Sequence, residues 1–96
     1  MTNTNYRMGA HLEREAKKML EDQGYYVIRS AGSLGLFDLV AFNKQFTRFI
    51  QVRKNRDLSR REKDAIRLVP VAPGVKKEFW VKVPLTYGKF DIEVIE

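Results

Sequence analysis

Five short runs rich in β-branched and aromatic residues, YYVIRS, LFDLVAF, RFIQVRK, EFWVKV and KFDIEVI, limit the architectures open to this chain more than any other feature. Each is short and bounded by turn formers, which favours strands over helix and predicts one sheet. AGSLG separates the first two runs. NKQFT, between the second and third, suits a connection between antiparallel neighbours, so the first three runs read as a meander. Pro70, Pro73 and Gly74 break the chain before the fourth run, and PLTYG joins the last two.

A sheet must bury at least one face against another layer. Two segments are patterned to supply it. Met8, Leu12, Ala16, Met19 and Leu20 recur at helical spacing and Gly24 stands where helices commonly end, so a helix is expected over residues 8–23. Ser59, followed three residues later by Glu62, has the form of a capping box in which each side chain satisfies a backbone N–H at a helix start, so a second helix is expected over residues 59–68. The order helix, three strands, helix, two strands predicts an α/β fold with a mixed five-stranded sheet flanked by helices. With 96 residues it is expected to be a single domain, 1–96.

Hydrophobic residues make up 44% and charged residues 31%, a globular balance rather than that of a disordered chain. The absence of cysteine excludes disulfides, thiolate metal sites and cysteine nucleophiles. No apolar run approaches the roughly 20 residues needed to cross a bilayer, and MTNTNYRMGA lacks the apolar segment of a signal peptide. A cytoplasmic protein with no membrane partner is the expectation.

The net charge of +6 is unevenly placed. Residues 53–67 carry seven Lys/Arg against three Asp/Glu, whereas residues 1–52 carry seven against five and residues 68–96 four against four. A local basic field of this kind suits a polyanion such as nucleic acid, and the plainer reading is that Arg and Lys solvate a loop and a helix face. Arg7, Lys54, Arg56, Arg60, Arg61, Lys63 and Arg67 are the candidates for a DNA path, each neutralising phosphate without reading sequence.

Asp38 lies in an otherwise apolar run, where an unpaired carboxylate is costly to bury. On the next strand Gln51 and Arg53 are two residues apart and so project from one face, with Ile50 and Val52 on the other. If Asp38 pairs near Gln51, a carboxylate, an amide oxygen and a guanidinium converge. Such a set suits phosphodiester hydrolysis. Mg2+, with Mn2+ as a possible substitute, takes oxygen ligands and keeps several waters. Asp38 would be the primary ligand, Gln51 a neutral one, and Glu13 from the first helix a direct or water-mediated third. Arg53 would offset charge on the phosphate, but it stays protonated and cannot be a base, which leaves a metal-activated water as nucleophile.

Plainer readings stand beside these: a buried ion pair at Asp38, Gln51 and Arg53 in an inactive fold relative, an i,i+4 pair between Glu13 and Lys17, and a turn role for Ser33. His11 is the lone histidine and has no histidine partner for a metal. The aromatic residues Tyr25, Tyr26, Phe79, Trp80 and Phe90 fit core or interface packing better than base stacking.

RMGAHLE, IRSAGSLGLFDLVAF and FIQVRK together resemble the motifs of PD-(D/E)XK nucleases, in particular archaeal Holliday-junction resolvases and related small resolvase-like nucleases. In that pattern a basic residue and a glycine precede a helical glutamate, as Arg7, Gly9 and Glu13 do. A Gly-Ser loop leads to the metal-binding aspartate, as Gly32, Ser33 and Gly35 lead to Asp38. The next strand carries Glu or Gln, a spacer and Lys, matched by Gln51, Val52 and Arg53. The likeness covers residues 7–54. Two departures are the absence of a proline near Asp38 and arginine in place of lysine. Lys54 points to the opposite face of its strand and does not replace it.

The resemblance implies a PD-(D/E)XK nuclease-like fold and a Mg2+-dependent endodeoxyribonuclease acting on branched DNA such as Holliday junctions, with Glu13, Asp38, Gln51, Arg53 and Ser33 at the site. It also implies a homodimer, because a four-way junction needs paired cuts. Trp80 and the last two strands are the candidate interface. Alternatives are a weak or inactive DNA-binding protein of the same fold because of Arg53, a structural subunit of a larger enzyme, and a nicking or restriction-like nuclease on ordinary duplex.

Overall fold

The computed structural model describes residues 4–30 and 36–96, with side chains from residue 10 onward. The elements follow in the order α1 (Thr4–Asp22), β1 (Tyr26–Arg29), β2 (Leu39–Phe42), β3 (Thr47–Arg53), α2 (Arg60–Leu68), β4 (Lys76–Lys82) and β5 (Phe90–Val94). The strands form one sheet in the order β1-β2-β3-β4-β5. All neighbours are antiparallel except β3 and β4, which run parallel with Gln51 beside Phe79 and Arg53 beside Val81. That parallel step requires a crossover, and the segment containing α2 supplies it.

Alternation along the strands divides the core between the two helices. Ile50 and Val52 point to the same side as Val27, Leu39, Ala41 and Trp80, and Leu12, Ala16 and Leu20 of α1 close over them. The other side holds Phe79 and Val81, which pack with Ile66 of α2 and Ile95 against Leu36, Phe37 and Leu58. Burying a side chain of Leu or Ile size contributes about 1.5–3 kcal/mol, so these two seams dominate what holds each helix to the sheet.

Trp80 is fully buried, and its Nε1 donates to Glu78 Oε1 at 2.8 Å. Arg48 pairs with the same carboxylate at 2.9 Å and lies 5.2 Å from the Trp80 ring. The expectation that Trp80 helps form an interface is therefore corrected. Its parity on β4 turns it under α1, and a side chain sealed in the core offers no surface to a partner.

Polar contacts close the helix ends. Gly24, at φ 93°, follows α1, with Tyr25 N donating to Leu20 O and Gly24 N to Glu21 O, both at 3.0 Å. These are the paired bonds of a Schellman turn, whose left-handed residue is normally glycine. At α2, Ser59 and Glu62 form the expected capping box. Lys77 is nearly buried on β4, and its Nζ donates to Ile66 O, Arg67 O and Val69 O at 2.8–3.1 Å, covering the carbonyl end of α2. Glu15, buried on α1, accepts from Lys82 Nζ and from Gly88 N, which pins α1 to the β4–β5 connection. Burial pushes the Glu15 carboxyl up, but the Lys82 and Gly88 donors and the Lys82 charge outweigh it and hold it below its ordinary value.

Two boundaries differ from expectation. α1 begins at Thr4, because its first turn is polar and leaves no mark in the apolar periodicity. β2 begins at Leu39 rather than at Leu36. Leu36 and Phe37 leave the strand direction to pack against the α2 core.

Candidate active site

Asp38 stands just before β2, where the β2–β3 ladder ends at the pair Leu39 and Ile50. Its N–H donates to Ile50 O and its carbonyl accepts from Ser30 N, each at 2.8 Å, so the main chain is fixed on both sides. Its carboxylate Oδ2 accepts from Val52 N at 2.8 Å. β3 continues past the start of β2, and the carboxylate satisfies the Val52 donor there in place of a strand carbonyl. Among the described residues no donor reaches Oδ1.

Glu13 approaches from the α1 side. Its Oε1 accepts from Arg29 Nε at 3.3 Å. The i,i+4 alternative is not what forms, since Lys17 pairs instead with Glu21 at 3.5 Å. Burial and the nearby charge of Asp38 push the Glu13 carboxyl up, against the pull of Arg29. Burial also pushes Asp38 up, and it prevails over the Val52 N–H and the charges of Arg53 and Arg29. Two carboxylates that are costly to ionise and sense each other form a site that a cation would relieve.

Gln51 and Arg53 reach the same end of the sheet from the other face. The Gln51 amide is buried and is satisfied at both ends when its nitrogen donates to Leu36 O and its oxygen accepts from Arg53 Nε and Nη2 at 3.0 and 3.1 Å. Arg53 also donates from Nη2 to Glu62 Oε2 at 2.6 Å and from Nη1 to Asp57 Oδ1 at 3.2 Å. The guanidinium thus claims the one oxygen that Gln51 has for a metal. The donor set of Asp38, Glu13 and Gln51 is all oxygen and suits a hard divalent cation, with the Gln51 oxygen shared with Arg53. Among the described residues there is no group of three or more His, Cys, Asp or Glu that could hold a metal.

The other nominated residues are distributed as follows. Lys54, Arg60 and Arg61 are exposed and form no ion pair with the described residues. Arg56 pairs with Asp91 at 3.5 Å and Glu93 at 3.7 Å, Lys63 with Glu93 at 3.0 Å, and Arg67 with Asp64 at 2.7 Å. Much of the basic excess therefore braces α2 and its approach against β5. Ser33 lies outside the described residues, as does the side chain of Arg7.

Three residues at this end of the sheet were not nominated from sequence: Arg29, Asp57 and Glu62. Arg29 had a readable signal. It shares the parity of Val27 on β1, so a charge there must lie beside α1. Glu62 was legible as a helix cap, but nothing in the chain marks a residue nine positions beyond Arg53 as its partner.

The model of the family described as archaeal Holliday junction resolvase (Hjc) matches residues 4–81. The crossover junction endodeoxyribonuclease Hjc of Methanocaldococcus jannaschii is 56% identical to this chain over 39 residues, which are 41% of this chain and 29% of that protein. The matched stretch is thus less than a third of that relative's length. β5 lies beyond the family match.

Proposed function

The chain belongs to the archaeal Holliday junction resolvase family, and from that premise we propose that it is an endodeoxyribonuclease that cuts four-way DNA junctions. Nucleases of this family are generally metal-dependent. Mg2+ is the proposed cation, with Mn2+ as a substitute. The observation that carries the reading is Asp38, whose Oδ2 is tied to Val52 N at the end of the β2–β3 ladder while no donor among the described residues reaches Oδ1, and whose charge the Glu13 carboxyl senses.

In this mechanism Asp38 and Glu13 would hold the cation, and the amide oxygen of Gln51, shared with Arg53, would be a third donor. A divalent cation so bound supplies Lewis acidity toward a phosphate oxygen and lowers the pKa of water. Val52 N keeps the Asp38 carboxylate aimed, and Arg29 steadies Glu13. Arg53 meets the scissile phosphate through Nη1 and offsets the charge that develops there. Lys54, Arg60 and Arg61, exposed and without ion pairs among the described residues, carry the DNA backbone on this side. Arg7 is proposed to join them, as are Arg56 and Lys63 where the duplex arm draws these two from their ion pairs, and Ser33 is a further proposed site residue.

Paired cuts require two copies. The sheet face opposite α1 supports that part of the reading, because it leaves Tyr26, Ile28 and Phe42 exposed on β1 and β2, with Phe46 in the adjoining turn. The Tyr26 and Phe42 rings are 5.2 Å apart and form a continuous apolar surface. A contiguous exposed patch of this kind marks an interaction site, and a second copy is the occupant that junction symmetry demands.

One observation favours a second reading. Arg53 is held by Gln51, Asp57 and Glu62 together, which suits a junction-binding protein of low turnover. A labelled four-way junction and a matching duplex, incubated with Mg2+ or Mn2+ and with chelator beside Asp38→Ala, separate the readings. Cutting of the junction that needs metal and Asp38 is expected. Tight junction binding without cutting under either metal supports the second reading.

A further inference from the structure

We propose that Glu62 is a positioning residue for the reaction: it fixes the fork of Arg53, and Asp57 occupies the place that a phosphate oxygen takes on the same guanidinium. The inference rests on the reading of Arg53 as the phosphate-facing cation and adds to it the parts that make an arginine workable where the family pattern has lysine.

The geometry distinguishes the two acids. Glu62 is itself immobilised, because its Oε1 accepts from Ser59 N at 3.3 Å and Ser59 Oγ at 3.2 Å while its backbone N donates back to Ser59 Oγ at 3.1 Å. The capping box thus engages one carboxylate oxygen and leaves the other, Oε2, for Arg53 Nη2 at 2.6 Å. Asp57 has no such anchorage among the described residues. Its side chain is more than half exposed, and it meets Arg53 Nη1 at the longer distance of 3.2 Å.

Arg53 therefore has a fixed side and an exchangeable side. Nε and Nη2 are held by Gln51 and Glu62, and Nη1 faces outward to Asp57. An incoming phosphate presents the same kind of charged oxygen acceptor as Asp57, and exchange on Nη1 leaves the Glu62 bond intact. Lysine presents three rotatable donors on a compact head and cannot form this planar bridge between Gln51 and Glu62. The sequence substitution at Arg53 and the helix cap nine residues later are in this view one unit.

Glu62→Gln tests the assignment, since glutamine also serves in a capping box but carries no charge for Arg53. Turnover on the junction is expected to fall about tenfold or more, as partners that orient a functional group commonly contribute, with KM little changed. In an Arg53→Lys background the same change is expected to have almost no further effect, because the path through the guanidinium is already gone. An equal loss in both backgrounds assigns Glu62 to the cap alone and overturns the proposal.

Asp57→Asn is expected to tighten junction binding severalfold by removing the competing negative charge. Unchanged or weaker binding overturns the role given to Asp57. A readout independent of cleavage is the side-chain NMR signal of the Arg53 Nη2 protons that Glu62 accepts, expected to be slowly exchanging in the free protein and exchange-broadened in Glu62→Gln. A rapidly exchanging signal in the unaltered protein overturns the positioning role whether or not the junction is cut. Failure of the unaltered protein to cut, with the NMR behaviour as expected, counts against the nuclease reading only.

Discussion

Burial pushes the Asp38 carboxyl up while the Val52 N–H, Arg53 and Arg29 pull it down, and burial prevails. A group whose folded pKa is raised binds its proton more readily in the folded state. Its ionisation therefore costs stability at neutral pH, and that loss is recovered as pH falls through the raised folded value toward the unfolded value of about 3.9. Asp38→Asn keeps an oxygen for Val52 N and removes the charge. It is expected to melt at or above the temperature of the unaltered protein at neutral pH. Thermal melts across pH should show that advantage shrinking on acidification, while junction cutting falls at least about a hundredfold, as expected when several kcal/mol of charge stabilisation is lost. A large fall in melting temperature at neutral pH contradicts this assignment. Asp38 was readable because a carboxylate in an apolar run demands a partner, and Gln51 and Arg53 because a spacing of two fixes a shared face. Their links to Arg29, Asp57 and Glu62 were not. Side-chain reach across elements depends on packing that no local pattern records.

Both helices were visible from periodicity, caps and breakers, and all five strands from composition, because those signals are local. What lay hidden was how elements are fastened to one another. Lys77 reads as an ordinary strand lysine, yet its ammonium covers three carbonyls at the end of α2. Lys77→Met keeps most of the apolar stem and removes the donors. Hydrogen bonds from a charged group contribute about 1.5–3 kcal/mol, so a loss of about 2 kcal/mol in denaturant unfolding is expected, with faster amide exchange in the last turn of α2. Unchanged stability and exchange contradict the capping role. The late start of β2, after Asp38, has a similar cause. Leu36 and Phe37 are apolar enough for a strand, but they serve the α2 core.

The order of elements and the alternation of faces were enough to anticipate a mixed five-stranded sheet with a helix on each side. The surface was less legible, because exposure is a property of the assembled sheet. Trp80, the residue most easily suspected of making an interface, is in the core, and one exposed apolar surface lies at the far edge on Tyr26, Ile28, Phe42 and Phe46, while Leu85, Tyr87, Ile92 and Val94 are exposed on β5 and the connection before it. Replacing Tyr26 and Phe42 by serine removes apolar area from the proposed interface without touching either helix seam. Light scattering is expected to show a dimer for the unaltered chain and a monomer for the double variant, with secondary structure retained by circular dichroism. A concentration-independent monomer in both cases contradicts dimerisation through this face. The proposed function at this scale is two sites acting on one junction. The most direct test is a supercoiled plasmid with an extruded cruciform, incubated with the unaltered protein and Mg2+ and followed by gel. Direct conversion to linear DNA, without a build-up of nicked circle and absent in Asp38→Asn, is the outcome expected of paired cuts by a dimer. Accumulation of nicked circle alone, or a plasmid left intact, contradicts junction resolution by this protein.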